Sequence, residues 1–168
     1  MNIRTFEKAD AEFIVACFRM PHAAAFLRVP QAERVRAAVD DADIAGFILE
    51  DAGTPVGHLL LRNLGRNWNI AEIAQLVVTR PRKGYGRVAI EFAMHHIFEK
   101  RNAHRCYLDV VAHNTAACKL YERCGFLREA LFRDGFPADD GTFCDLAGYG
   151  MLASDYFARS HAQRRNDE

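Results

Sequence analysis

Residues 79–87 read Thr79-Arg80-Pro81-Arg82-Lys83-Gly84-Tyr85-Gly86-Arg87, a basic turn carrying two glycines. Before it, Ile70–Thr79 is a largely apolar run that reads as a strand. After it, Tyr85–Glu99 puts Tyr85, Ala89, Phe92 and His96 on one helical face and Ile90, Met94 and Ile97 on another, which predicts a helix packed on two sides. The first N–H groups of such a helix lack internal partners, and its dipole favours an anion at that end. Gly84 and Gly86 carry no Cβ to keep a diphosphate from the backbone, and Arg80, Arg82, Lys83 and Arg87 gather positive charge there. A helix entry with solvated charges is the competing reading, and the turn alone names no ligand.

Two nucleotide motifs can be tested on these residues. GxxxxGK[ST] is absent, so this is not a P-loop. Gly84-x-Gly86-x-x-Ala89, with Asp109 some way on, satisfies a loose dinucleotide fingerprint. That fingerprint needs its glycines directly after the strand, whereas Pro81 and basic residues intervene. It also needs repeated βαβ units, and after Asp109 the chain offers only a short helix and a hairpin.

Outward from the turn, Arg105–Val111 reads as a strand and Asn114–Cys124 as a short helix, with Asn114 as N-cap and Gly125 just past the C-terminus. Ile3–Phe6 reads as a strand and Ala9–Arg19 as a helix. Pro21 and Pro30 interrupt, and Gln31–Val39 is a second helix. Ile44–Leu49 and Val56–Leu61 form a hairpin with a longer loop through Glu50–Pro55, and Asn63–Asn69 is a polar turn. Phe126–Arg133 and Phe143–Leu152 are the last strands, around a turn at Gly135–Gly141. From Ser154 to Glu168 the chain reads as a polar, fraying tail. The pattern is a mixed α/β fold in a single domain spanning 1–168.

Composition sets limits on function. The 168 residues are 50% hydrophobic, and 22 acids balance 22 bases. Single domains usually hold roughly 100–150 residues, so one core is expected without a disulfide or metal staple. Zero net charge argues against a nucleic acid or a membrane surface as partner. The 18 Arg against 4 Lys favour a rigid fork suited to carboxylates and phosphates, or simply reflect a compositional habit. Five cysteines, odd in number and without CxxC, read as reduced thiols. No apolar run reaches the ~20 residues of a bilayer span. The charged start MNIRTFEKAD does not resemble a signal peptide, so a cytoplasmic protein is expected. His95, His96 and His113 show no metal-ligand spacing, so no metal is expected.

Residues 108–126, Leu108-Asp109-Val110-Val111-Ala112-His113-Asn114-Thr115-Ala116-Ala117-Cys118-Lys119-Leu120-Tyr121-Glu122-Arg123-Cys124-Gly125-Phe126, resemble the NxxAxxLYExxGF signature of the GNAT superfamily of acetyl-CoA-dependent N-acetyltransferases. Together with Ala71 through Gly86 they match the family's two cofactor motifs in order. Gly125-Phe126-x-x-Glu129-Ala130-x-x-Arg133 and Asp145-x-x-x-Tyr149-Gly150-Met151-Leu152 look like the branch containing ribosomal-protein, polyamine and antibiotic acetyltransferases. The chain departs from the family at Pro81, where Gln or Arg is usual, at Arg82, where glycine is common, and at Ala130, also usually glycine.

The resemblance implies a central twisted mixed sheet flanked by helices, and acetyl-CoA as co-substrate. It implies that Arg82, Lys83, Gly84, Tyr85, Gly86 and Arg87 hold the diphosphate. Leu76, Val77 and Val78 would splay from their neighbouring strand and pair with the pantetheine arm. A backbone N–H of Val77 or Val78 would polarise the thioester carbonyl, and losing such a donor costs about 2.7–4 kcal/mol of barrier. Asn114 and Ala117 match positions that touch the pantetheine, although Asn114 is also a plain cap.

Tyr121 falls where the family places its general acid, and a phenol of pKa ~10 suits a departing thiolate. Glu72 is the candidate base for the ammonium proton, or else an exposed strand glutamate, ordered water serving instead. The implied activity is direct acetyl transfer to a primary amine on a protein N-terminus, polyamine, amino acid or aminated antibiotic. The alternative is a catalytically silent acyl-CoA-binding protein of the same fold. The acceptor is a small molecule or a peptide, its site shaped by Pro21–Pro30 and the Phe132–Thr142 hairpin. Ala138-Asp139-Asp140 are a candidate cation attractor or a solvated turn. Relatives often pair, so a homodimer is among the states the resemblance allows.

Overall fold

The computed structural model describes residues 1–65, 68–138 and 141–166, the side chains of 161–166 excepted. Its strands are β1 (Asn2–Thr5), β2 (Ala45–Asp51), β3 (Thr54–Arg62), β4 (Ile70–Val78), β5 (Arg105–Val111), β6 (Leu127–Pro137) and β7 (Phe143–Leu152). They form one seven-stranded sheet in the order β1-β2-β3-β4-β5-β7-β6. Every neighbouring pair is antiparallel except β4 and β5. The mixed, twisted sheet expected from the resemblance is therefore present.

Helices cover both faces. α1 (Ala11–Phe18), the one-turn α2 (Pro21–Ala24) and α3 (Ala32–Ala37) lie on one side, where Ile14, Phe18 and Val35 pack with Ile48 and Val77. α4 (Tyr85–His95) and α5 (Thr115–Cys124) lie on the other, where Ala89, Ile90, Met94 and Tyr121 meet Leu59, Leu61, Ile73, Cys106 and Leu108. α4 packs on two sides as its periodicity predicts: Phe92 and His96 meet Phe47 edge to face, while Ile90 and Ile97 are fully buried. The helix does not stay α-helical to Glu99. It widens into a π-type turn at His96–Lys100, closed by Arg101 N donating to His96 O.

Other boundaries differ from expectation for identifiable reasons. The β2–β3 loop is tight, not long: Asp51 pairs with Thr54, and Ala52 and Gly53 both carry positive φ, the twist that suits a two-residue hairpin. Pro21 does interrupt the first helical stretch, but it then occupies the first position of α2, where a missing N–H costs nothing. β6 runs on to Pro137, with register shifts that absorb Asp134 and Gly135. Asp139 and Asp140 of the candidate cation turn lie outside the described residues.

The fraying tail is instead α6 (Ala153–Asn166). Two aromatics anchor its start: Tyr156 stacks on Phe98 at 5.0 Å and donates to Glu99 Oε1 at 2.5 Å, with Phe157 beside it. Asp155 Oδ2 also accepts from Leu152 N at 3.2 Å. Mean polarity hid these few contacts.

α5 is framed at both ends. Asn114 Oδ1 accepts from Ala117 N at 3.2 Å. At the other end Gly125, with φ 98°, is left-handed, Gly125 N donates to Glu122 O, and Phe126 N reaches back to Tyr121 O, both at 3.0 Å. This is a Schellman motif, and the accompanying apolar contact is Phe126 against the Tyr121 ring, 6.2 Å between centroids. A side chain at 125 would meet only the movable guanidinium of Arg159, so the backbone angle sets the cost. Gly125→Ala is therefore expected to cost about 1–2 kcal/mol, lowering Tm by roughly 2–8 °C in a calorimetric scan; an unchanged Tm would show that the cap does not hold α5.

Candidate active site

The central feature is a place where the sheet comes apart. β4 and β5 pair only through Ile70–Arg105, Ala71–Cys106 and Glu72–Tyr107. Beyond Glu72, β4 stays with β3 as far as Val78–Gly57, while β5 stays with β7 as far as Val111–Leu146. The register between β3 and β4 shifts beside this point, with Leu60 opposite Gln75 and Leu61 opposite Ile73, leaving Ala74 as the extra residue. A bulge increases local twist, which carries β4 away from β5. The result is a wedge between two strands that both remain anchored on their outer sides.

Register decides which β4 groups face the wedge. Thr79 N donates to Val56 O at 2.8 Å, so Thr79 turns its backbone toward β3. Alternation then turns Val77 toward β3 as well, and leaves Leu76 and Val78 facing the wedge. Of the three residues expected to pair with a pantetheine arm, Val77 is thus misassigned as a backbone donor: its N–H belongs to the β3 ladder and its side chain is buried. Val78 O is met by His22 Nε2 at 2.8 Å, from α2.

The basic turn opens at one end of the wedge. Arg80, Arg82 and Lys83 are exposed. Val88 N, bonding to Gly84 O at 3.2 Å, is the fourth N–H of α4, so those of Tyr85, Gly86 and Arg87 precede the first intrahelical bond. Gly84 has φ 83° with nothing within 4 Å of a would-be Cβ. Arg82, at the position where the family commonly has glycine, has φ 66°. The glycine-like backbone is thus kept by an arginine, at a steric cost of about 1–2 kcal/mol. Gly86 serves packing too, because a Cβ there would lie 3.1 Å from Leu120 of α5. Tyr85 and Arg87 point their side chains elsewhere, Tyr85 to Asp51 Oδ2 at 2.5 Å and Arg87 to Glu91 Oε1 at 2.7 Å. These residues fit a coenzyme: free helix-entry amides for a diphosphate, and an unpaired strand edge for an amide-bearing arm.

Tyr121 and Glu72 lie on opposite faces of the sheet. Tyr121 is buried on the α4 side, with its ring 6.0 Å from Tyr149. Tyr149 in turn donates to Glu122 Oε1 at 2.9 Å. Burial, then Cys118 and Cys124, push the Tyr121 hydroxyl above the ordinary phenol range, so it stays protonated. Glu72 points to the α1–α3 side, because its neighbours Ala71 and Ile73 both enter the α4 core. Arg62 is opposite it on β3 and Tyr107 on β5. Burial raises its carboxyl above the usual range, and Asp109 adds to this; Arg62 and the Tyr107 hydroxyl pull the other way. Asn63 Nδ2 holds that hydroxyl at 3.1 Å.

Asn114 spends its side-chain oxygen on capping α5. His95 pairs with Glu99, His96 lies among Phe47 and Phe92, and His113 packs on Phe26 at 5.5 Å. Sequence reasoning missed the bridge formed by residues 22–28. His22 touches β4, Phe26 touches His113 after β5, and Arg28 Nη2 donates to Pro137 O at the end of β6 at 3.0 Å. Only the prolines at 21 and 30 marked it. Beneath the stretch that follows lies a cleft of about 430 Å³ whose lining includes Arg28, Arg34, His58, Arg62 and Gln75. Among the described residues, no helix is long and apolar enough to cross a membrane.

Known proteins share this arrangement. The sequence profile described as "Acetyltransferase (GNAT) family" matches residues 11–126. A spermidine N(1)-acetyltransferase from Vibrio cholerae serotype O1 is 31% identical over 116 residues, which span 68% of this chain and 66% of that protein. The crystal structure of spermidine N-acetyltransferase from Vibrio cholerae in complex with CoA and spermine superposes with TM-score 0.82 at 26% identity, covering 93% of this chain and 97% of that one. A dodecameric spermidine N-acetyltransferase from the same organism gives TM-score 0.81 at 25% identity over 95% and 97% of the two chains. With its motifs, its wedge and more than half its length matched, this chain belongs to the GNAT family of acetyltransferases.

Proposed function

We propose that this protein transfers the acetyl group of acetyl-CoA to a primary aliphatic amine, directly, in a complex holding both substrates. The observation that carries this reading is the β4–β5 wedge, which opens beside the free N-terminus of α4 and leaves the backbone of Leu76 and the N–H of Val78 available to an amide-bearing arm, the Val78 carbonyl being taken by His22. Acetyl-CoA supplies the activated acyl group. The Arg82–Arg87 turn holds its diphosphate, and the Val78 N–H is the donor best turned to polarise the acyl carbonyl. Tyr121, kept neutral by burial, gives its proton to the departing thiolate. Glu72, on the other face, attracts the acceptor ammonium and takes up its proton. The relatives' substrate supports the class of acceptor, an aliphatic amine; the rest of the acceptor is set by the cleft. Five free thiols support a cytoplasmic setting.

Tyr121→Phe is expected to lower kcat about 100-fold or more, with a much smaller change in acetyl-CoA affinity measured by calorimetry. A variant with undiminished kcat would remove Tyr121 from the mechanism, and tight coenzyme binding without turnover in the unaltered protein would favour the silent alternative.

Glu72 accepts a proton only when ionised, and its raised pKa moves that requirement upward. Activity should therefore fall as pH drops through a value above the ordinary carboxylate range. Glu72→Gln should lack this limb and lose about 100-fold in kcat/KM near neutrality, the deficit narrowing at high pH as the amine deprotonates unaided. An identical pH profile in the variant would leave the proton to water.

We also infer that copies of the chain associate at the outer hairpin, where Leu127, Leu131, Phe132 and Phe143 are each at least half exposed. Light scattering is expected to show an oligomer for the unaltered protein and a smaller species for Phe132→Asp; equal masses would reject this edge as the contact.

A further inference from the structure

The cleft on the Glu72 face has a charge pattern that the relatives' substrate does not explain. Arg28, Arg34 and Arg62 border it, and among the described residues none that lines it is acidic; Asp139 and Asp140, just past the Pro137 carbonyl that Arg28 meets, lie outside them. Among the described residues, none of these three guanidiniums is in an ion pair. Arg28 gives one donor to Pro137 O and keeps the others. Arg62 is the exception in setting, since it stands opposite Glu72 across the β3–β4 pair. Gln75, one residue before the wedge-facing Leu76, brings the cleft next to the wedge. Glu72 does not itself line the cleft but stands beside it, across from Arg62, and among the described residues the cleft's own rim carries positive charge and no carboxylate.

The floor is polar as well. His58 is 1% exposed and lines the cleft, with Nε2 bonded to Gln75 Oε1 at 3.3 Å. Its Nδ1 makes no hydrogen bond of good geometry, although the Phe47 backbone lies near enough to favour the protonated ring. Burial depresses the imidazole to about 4, so it adds no charge to the site near neutrality.

A polycation entering this cleft would carry its second and third ammonium groups toward Arg28 and Arg34, and like charges repel there. A carboxylate would meet two planar forks suited to it in the same place. The cleft volume, about 430 Å³, is that of a small-molecule site. We propose that the acceptor is a small amine that also carries a carboxylate, its amino group held near Glu72 and its carboxylate by Arg34 and Arg28. This rests on the acetyl-transfer reading above and narrows its acceptor.

The test uses the full chain with acetyl-CoA and three probes: ornithine, putrescine (the same chain without the carboxylate) and spermidine. Thiol release is followed for each. The expected result is a kcat/KM for ornithine at least about tenfold above that for putrescine or spermidine, a ratio that Arg34→Ala brings near one through the acceptor KM and Arg34→Glu inverts in favour of spermidine. Arg34 is exposed, so neither variant disturbs the core. Preference of the unaltered protein for spermidine, or a ratio indifferent to Arg34, would overturn the proposal. If no amine is acetylated, the transfer reading itself has failed. Calorimetric titration of ornithine and putrescine into the CoA-saturated protein still decides the cleft, with stronger ornithine binding supporting it and equal or weaker binding overturning it.

Discussion

The structure depends on a parallel strand pair that stops after three residues. Glu72 and Tyr107 are the last to face each other, and the bulge at Ala74 turns β4 out of line immediately afterwards. Neither strand is left as a loose edge, because β3 holds one and β7 the other. That is why the wedge is a stable element and not a frayed end. It supplies unpaired backbone groups in the interior of a sheet, a place where such groups are normally all consumed.

The wedge is also what joins the two sides of the protein. Tyr121 sits in the α4–α5 core and Glu72 on the α1–α3 face, so the sheet separates the candidate proton donor from the candidate base. Chemistry that uses both must pass through the gap. The same separation gives the two groups different surroundings. One is a phenol sealed among aromatics, the other a carboxyl flanked by Arg62 and Tyr107, and burial raises the pKa of each. For Tyr121 that keeps a proton available to give; for Glu72 it makes the carboxylate a better acceptor.

Local chemistry made much of this legible beforehand. Asn114 and Gly125 framed α5 because capping is decided by the terminal residues themselves, and both caps form as read. The helix entry at the basic turn was legible for the same reason, whereas the positive φ of Arg82, noted beforehand only as a departure from a common glycine, came from the structure. What the sequence did not disclose depends on contacts between distant residues. The α6 helix is held by Tyr156 on Phe98, 58 positions earlier in the chain, which polarity averages cannot register. The orientation of Val77 was hidden because facing direction follows from register with β3, not from the residue type. Of the candidate acceptor cleft, the end of the Pro21–Pro30 stretch was anticipated as a border, whereas Arg34 and Arg62 were not, because they come from separate elements and form no motif.

The bridge at residues 22–28 couples these parts mechanically. His22 grips the β4 arm, Phe26 the segment after β5, and Arg28 the distal hairpin, while Arg28 also borders the cleft. The same short segment therefore contacts the β4 arm, the end of β5, the distal hairpin and the cleft border, and any influence it carried between wedge and cleft would, by thermodynamic reciprocity, be equal in both directions.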